Sequence, residues 1–189
     1  MDDLERQRIQ RRKLMEVDTE RLVDALVEIA VYNRDIADFV DRMVSTNDEN
    51  KDRVLRKLAS FKDRKYAHYG DEAHAFWVEL MALLEDVKAA SSSPLDGVEL
   101  IASIFRTDKD ILENCDSSDG EIGSFFMDDV TELFIFFGAQ CNDKQWLCNI
   151  AVELCREDDY CVRRRIAERA SEYLPGPLAI MLEDGEMEK

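Results

Sequence analysis

Residues 22–43 read LVDALVEIAVYNRDIADFVDRM, and the fold is decided there. Leu22, Leu26, Ile29 and Ala30 recur at steps of three and four, the period of one helical face. Asn33-Arg34-Asp35 interrupts the pattern, and Ile36, Phe39, Val40 and Met43 resume it. Two amphipathic helices joined by so short a turn lie side by side, because each has a face to bury and little chain in which to travel.

The same alternation of stripe and turn runs outward from this pair. Ser45-Thr46-Asn47-Asp48 offers caps for a helix carrying Val54, Leu55, Leu58 and Phe61. Gly70-Asp71 opens a helix with Phe76, Trp77, Leu80, Met81, Leu84 and Val87. Ser91-Ser92-Ser93-Pro94 is the strongest linker signal, with Pro94 suited to the first turn of a helix bearing Val98, Ile101, Ala102 and Phe105. After a break at residues 116–123, Phe125, Phe126, Val130, Leu133, Phe134 and Phe137 form the most apolar helix, which is predicted to be central and covered on more than one side. Asn142-Asp143 starts a helix with Trp146, Leu147, Ile150 and Leu154; Glu157-Asp158-Asp159 turns into Val162, Ile166, Ala170 and Tyr173. Pro175 and Pro177 precede a short tail helix around Leu178, Met181 and Leu182.

That makes about eight helices in four pairs. Residues 27–40 (VEIAVYNRDIADFV) and 152–167 (VELCREDDYCVRRRIA) share one order: apolar helix, short polar turn, apolar helix. The predicted fold is therefore all-α, with antiparallel helices stacked in pairs as a HEAT- or tetratricopeptide-like α-solenoid. A compact helical bundle is the alternative. Residues 1–17 read as a charged leader or exposed first helix, and 18–189 as a single helical-repeat domain.

Composition agrees with this reading and narrows the function. The chain has 189 residues, 46% of them apolar, with only 3 Pro and 7 Gly to break helices. A net charge of −17 repels nucleic acid and anionic membranes and attracts basic partners, so no direct nucleic-acid or membrane role is expected. No apolar run reaches the roughly 20 residues of a membrane span, and residues 1–17 hold no apolar stretch of a secretory signal. Five cysteines, an odd number and all after residue 114, suit reduced thiols in the cytoplasm.

The loop DSSDGEIG, residues 116–123, is the most distinctive motif, and Asp116, Ser118, Asp119 and Glu121 are the candidate binding residues. Setting Gly120 at the sixth position of an EF-hand loop puts Cys115 first and Phe126 twelfth, so two essential carboxylates are missing. Ser118 with Glu121 reads instead as a capping box.

Cys141, Cys148 and Cys155 recur every seven residues along one helical stripe; they lack the close pairs of a zinc site and are read as core. His68, Asp71, Glu72 and His74 miss the i, i+4 histidine spacing of zinc hydrolases, and Asp71 reads as an N-cap. Arg163-Arg164-Arg165 points three ways from a helix and is read as a solvated face. Trp77 and Trp146 are read as core. No catalytic, metal or cofactor set emerges.

Three pieces, ALVEIAVYNRDIADFVDRMVS (25–45), the 116–123 loop opening a helix, and EDDYCVRRRIAERASEYL (157–174), together resemble a bacterial helical domain family sometimes found downstream of a SWIM-type zinc finger. The likeness covers roughly residues 20–175. It implies an α-helical repeat domain and carries no established activity. The chain has no Cys-x-Cys followed by Cys-x-His, so a nucleic-acid role linked to that finger does not carry over. The expected function is a non-catalytic protein-interaction or scaffold module whose partner is another protein. The alternative is an acidic regulator that mimics nucleic acid on a basic nucleic-acid-binding protein. The sequence assigns no oligomeric state.

Overall fold

In the computed structural model, residues 3–62, 71–115 and 120–187 are described; His68 and the loop residues Asp116, Ser118 and Asp119 lie outside them. Among the described residues every regular element is helical, and neighbouring helices pack in pairs. The chain divides into two compact units, Met1–Ser45 and Thr46–Lys189. Their boundary falls within the stretch read from sequence as a single domain.

The first unit holds α1 (Asp3–Leu14), α2 (Thr19–Tyr32) and α3 (Arg34–Val44). Asp18 caps α2 by accepting from the N–H groups of Glu20 and Arg21, and Asn33 caps α3 by accepting from Ile36 N–H. One residue thus ends one helix and starts the next, and α2 packs on α3 as the stripe in residues 22–43 requires. Neither helix buries a residue fully.

The second unit begins with α4 (Asn47–Lys62), whose entry is a capping box. Thr46 N–H donates to Glu49 Oε2 at 2.7 Å, and Glu49 N–H donates to Thr46 Oγ1 at 3.3 Å. Val54, Leu58 and Phe61 face α5 (Asp71–Ala90), with Phe61 edge-on to Phe76 at 5.4 Å; Leu55 lies outside the core, exposed. Lys57 Nζ reaches the buried Asp86 carboxylate at 2.6 Å and joins the two helices.

Then come α6 (Pro94–Phe105), α7 (Asp108–Asn114) and α8 (Glu121–Ser124). A π-turn over Phe125–Val130 continues directly into α9 (Thr131–Gln140). After it follow α10 (Lys144–Arg156), α11 (Arg164–Glu168), a 3-10 turn at Ala170–Glu172, and α12 (Gly176–Met187). The Phe-rich segment is central, as its composition predicts: Phe125, Phe126 and Phe134 are wholly buried. Phe134 meets Phe105 and Tyr173 edge-on, at 6.4 and 5.5 Å. Cys141, Cys148 and Cys155 are all buried but share no single helical stripe: Cys141 ends α9 in extended backbone, and Cys148 and Cys155 lie on α10, where burial pushes the Cys148 thiol up from its ordinary range.

The helix pairing departs from a strict repeat, because α6 packs along α9 rather than along its sequence neighbour α7. Gly97 permits it: a Cβ at this position would sit 2.4 Å from Cγ of Phe137. Gly97→Ala gains about 1 kcal/mol of helix propensity but drives a methyl into the Phe137 ring. The net expectation is a loss of about 1–3 kcal/mol, measured by urea denaturation.

Arg163-Arg164-Arg165 corrects the sequence reading. Arg163 is 3% exposed, and only Arg164 and Arg165 face outward. Its guanidinium donates to both Asp108 carboxylate oxygens, at 2.6 and 2.7 Å, and to the carbonyls of Phe105 at 2.7 Å and Leu154 at 3.1 Å. The chain reaches this position through a tight turn. Cys161 adopts φ 58°, and the Asp158 carboxylate accepts from the N–H groups of Val162 and Arg163.

A candidate docking groove between two helical stripes

On α5, Met81, Leu84, Glu85 and Lys88 follow the i, i+3, i+4, i+7 pattern of one face. Asp129, Glu132, Leu133 and Phe136 repeat that pattern from the π-turn into α9. The two stripes wall a groove of about 660 Å³. Leu84, Leu133 and Phe137 give it an apolar floor, while Phe136, a large aromatic, stands 57% exposed at its side. The floor depends on the Gly97 contact, which seats the Phe137 ring.

The π-turn aims the acid in this wall. A π-turn widens the backbone ring by one residue, and such turns recur at functional sites. Here it lets Phe125 and Val130, five residues apart, share the core. The Thr131 hydroxyl donates to Phe126 C=O at 3.2 Å across the widened turn. The adjacent acids part company: Asp128 pairs with Arg165, and Asp129 turns into the groove.

Three carboxylates border the groove. Glu132 is held by Arg169, and Glu85 by Lys88 at 2.7 Å. Asp129 has no hydrogen bond or ion pair among the described residues, and it is half-buried. Burial raises its carboxyl above the ordinary Asp range. A half-buried, unpartnered carboxylate in the wall of an apolar-floored groove is chemically suited to a cation carried on an apolar scaffold.

No family model, no curated protein and no solved structure matches the chain. The site is therefore built from its residues alone.

Of the residues singled out in the sequence, Glu121 is described, and it corrects the capping-box reading. The N-cap of α8 is Gly120, held at φ 73°, a left-handed conformation that suits glycine, and Glu121 is the first helical residue. Its Oε1 lies 3.5 Å from His74 Nδ1, and the His74 ring stacks on Trp77 at 5.4 Å. Trp77 is only partly buried, at the edge of the core. Among the described residues no three His, Cys, Asp or Glu side chains gather as a metal site.

Sequence reasoning missed Asp129 and Phe136. One signal was available: two adjacent acids, Asp128 and Asp129, inside the most apolar helix. Paired acids in such a setting mark a place where the helix must turn one of them toward something other than the core.

Proposed function

We propose that this chain is a non-catalytic protein-interaction module whose groove takes an amphipathic, basic helix from a partner protein. The observation that carries the reading is Asp129, a carboxylate with no partner among the described residues, standing in the wall of a groove with an apolar floor. A helix with apolar residues every three or four positions fits a groove whose own walls repeat with that period. A lysine or arginine on that helix gives Asp129 its missing partner, and an apolar residue two turns further along covers the exposed Phe136 ring. The surplus of 42 acids over 25 bases steers such a partner inward at long range. The motif resemblance names no activity and leaves this reading to the groove. We place the module in the cytoplasm, which suits five unbridged thiols; no described helix is long and apolar enough to cross a membrane.

The test uses a leucine–lysine peptide patterned as an amphipathic helix, against a leucine–glutamate peptide of the same pattern. The first is expected to bind and the second not. Asp129→Asn and Phe136→Ala should each weaken binding about tenfold, near 1.4 kcal/mol. Binding should also fall with pH earlier than an ordinary aspartate predicts. The raised carboxyl takes up its proton above the usual Asp range, and the neutral form attracts no cation. Equal binding by the wild type and both variants would mean that net charge alone recruits the peptide, and would overturn the groove.

A further inference from the structure

The docking groove has two unlike ends. Its walls, α5 and the π-turn with α9, run the same way along it. His74, near the start of α5, lies 3.5 Å from Glu121, which opens α8. Ser91-Ser92-Ser93 joins the end of α5 to α6, whose Gly97 meets Phe137 near the end of α9. Met81 and Asp129 therefore stand toward one end of the groove, and Lys88 and Phe136 toward the other. The walls also keep step. Seven residues separate Met81 from Lys88, and Asp129 from Phe136, which is about 10 Å along each helix.

Charge is divided along that length. At one end is Asp129, and between the ends Glu132 is held by Arg169 and Glu85 by Lys88. Among the described residues that line the groove, Lys88 is the one base, and it stands at the far end on the opposite wall from Asp129. Its pair with Glu85 spans one turn of α5, and the two side chains are 52% and 54% exposed. Such a pair holds its lysine loosely. An ammonium has three donors, so Lys88 can keep Glu85 and still donate to a second carboxylate.

We infer that the helix this groove takes is dipolar: it carries a base at Asp129 and, about two turns away on the flank facing α5, an acid at Lys88. This rests on the groove as the docking site and names what the partner helix must carry there. A helix basic along its whole length sets a cation against Lys88 in a contact that excludes water, where like charges repel most. The net charge of −17 favours that all-basic helix at long range. At physiological salt such attraction is screened beyond about 8 Å, so the charge in direct contact decides. An acid at the Lys88 end meets its complement, and an apolar residue between the two flanks is left to cover Phe136.

Three peptides, titrated against the full chain at physiological salt, test it by fluorescence anisotropy. All share one leucine stripe and one lysine to meet Asp129. They differ only at the positions about six and eight residues on, which flank that stripe on either side at 100° per residue. Both positions are Glu, both Gln or both Lys. The Glu peptide should bind tightest and the Lys peptide weakest, with about threefold between steps. Lys88→Glu alters one exposed side chain, with circular dichroism to check the fold, and should reverse the order. Asp129→Asn should weaken all three. Tightest binding by the Lys peptide, or an order unchanged by Lys88→Glu, overturns the dipolar partner, while the loss in Asp129→Asn keeps the groove. Binding by none of the three, or binding indifferent to Asp129→Asn, overturns the groove and the dipolar partner together.

Discussion

Arg163→Ala is expected to destabilise the Thr46–Lys189 unit by about 3–5 kcal/mol, read as a fall of roughly 10 °C in its thermal midpoint. The size follows from what is left behind. Asp108 is 2% exposed, so its carboxylate would be stranded without a cation or a route to water. The two carbonyls that Arg163 holds, Phe105 C=O and Leu154 C=O, belong to the last turns of α6 and α10, where no intrahelical N–H remains to satisfy them. The ion pair sits where helix dipoles favour it, with the cation at two C-terminal ends and Asp108 in the first turn of α7. Lysine should rescue only in part, because an ammonium cannot reach a carboxylate through two parallel bonds and two carbonyls together.

Phe134→Ala is expected to cost about 3–5 kcal/mol in the same unit, measured by urea unfolding. The ring is wholly buried and meets Phe105 and Tyr173 edge-on, so alanine leaves a cavity lined by two rigid rings. Tyr173 cannot relax into it freely, since its hydroxyl donates to Ile166 C=O at 2.8 Å. The two substitutions should not add. Arg163 lies over the Phe105 ring at 6.0 Å, and Phe134 touches that same ring, so the double variant should lose less than the sum of the singles.

The sequence made some of this legible, for a physical reason. Leu22 to Met43 announces two helices because helical periodicity is local, and the side chains that signal it stand three or four residues apart. The burial of Phe125, Phe126 and Phe134, and of Cys148 and Cys155 on α10, follows from the same rule, whereas Cys141 is buried in extended backbone after α9, outside the single stripe its spacing suggests. Arg163 escaped because its partner Asp108 lies 55 residues away, and nothing within a helical turn of either one marks the pair. The π-turn escaped because tertiary packing decides it: Phe125 and Val130 both need the core, and an α-helix would point them apart. Asp129 follows from that turn, so the candidate groove became visible only with the fold. The loop residues Asp116, Ser118 and Asp119 remain outside the described structure, and Glu121 turned out to open a helix where a capping partner was expected.

The placing of the thiols has a practical consequence. Cys161 stands in the open on a left-handed turn, Cys115 is half-shielded, and Cys141, Cys148 and Cys155 are sealed inside. A small alkylating reagent therefore distinguishes surface from interior without any label being added. The speed with which the inner three become reactive times how often α9 and α10 separate from their neighbours, so the molecule carries its own clock for opening.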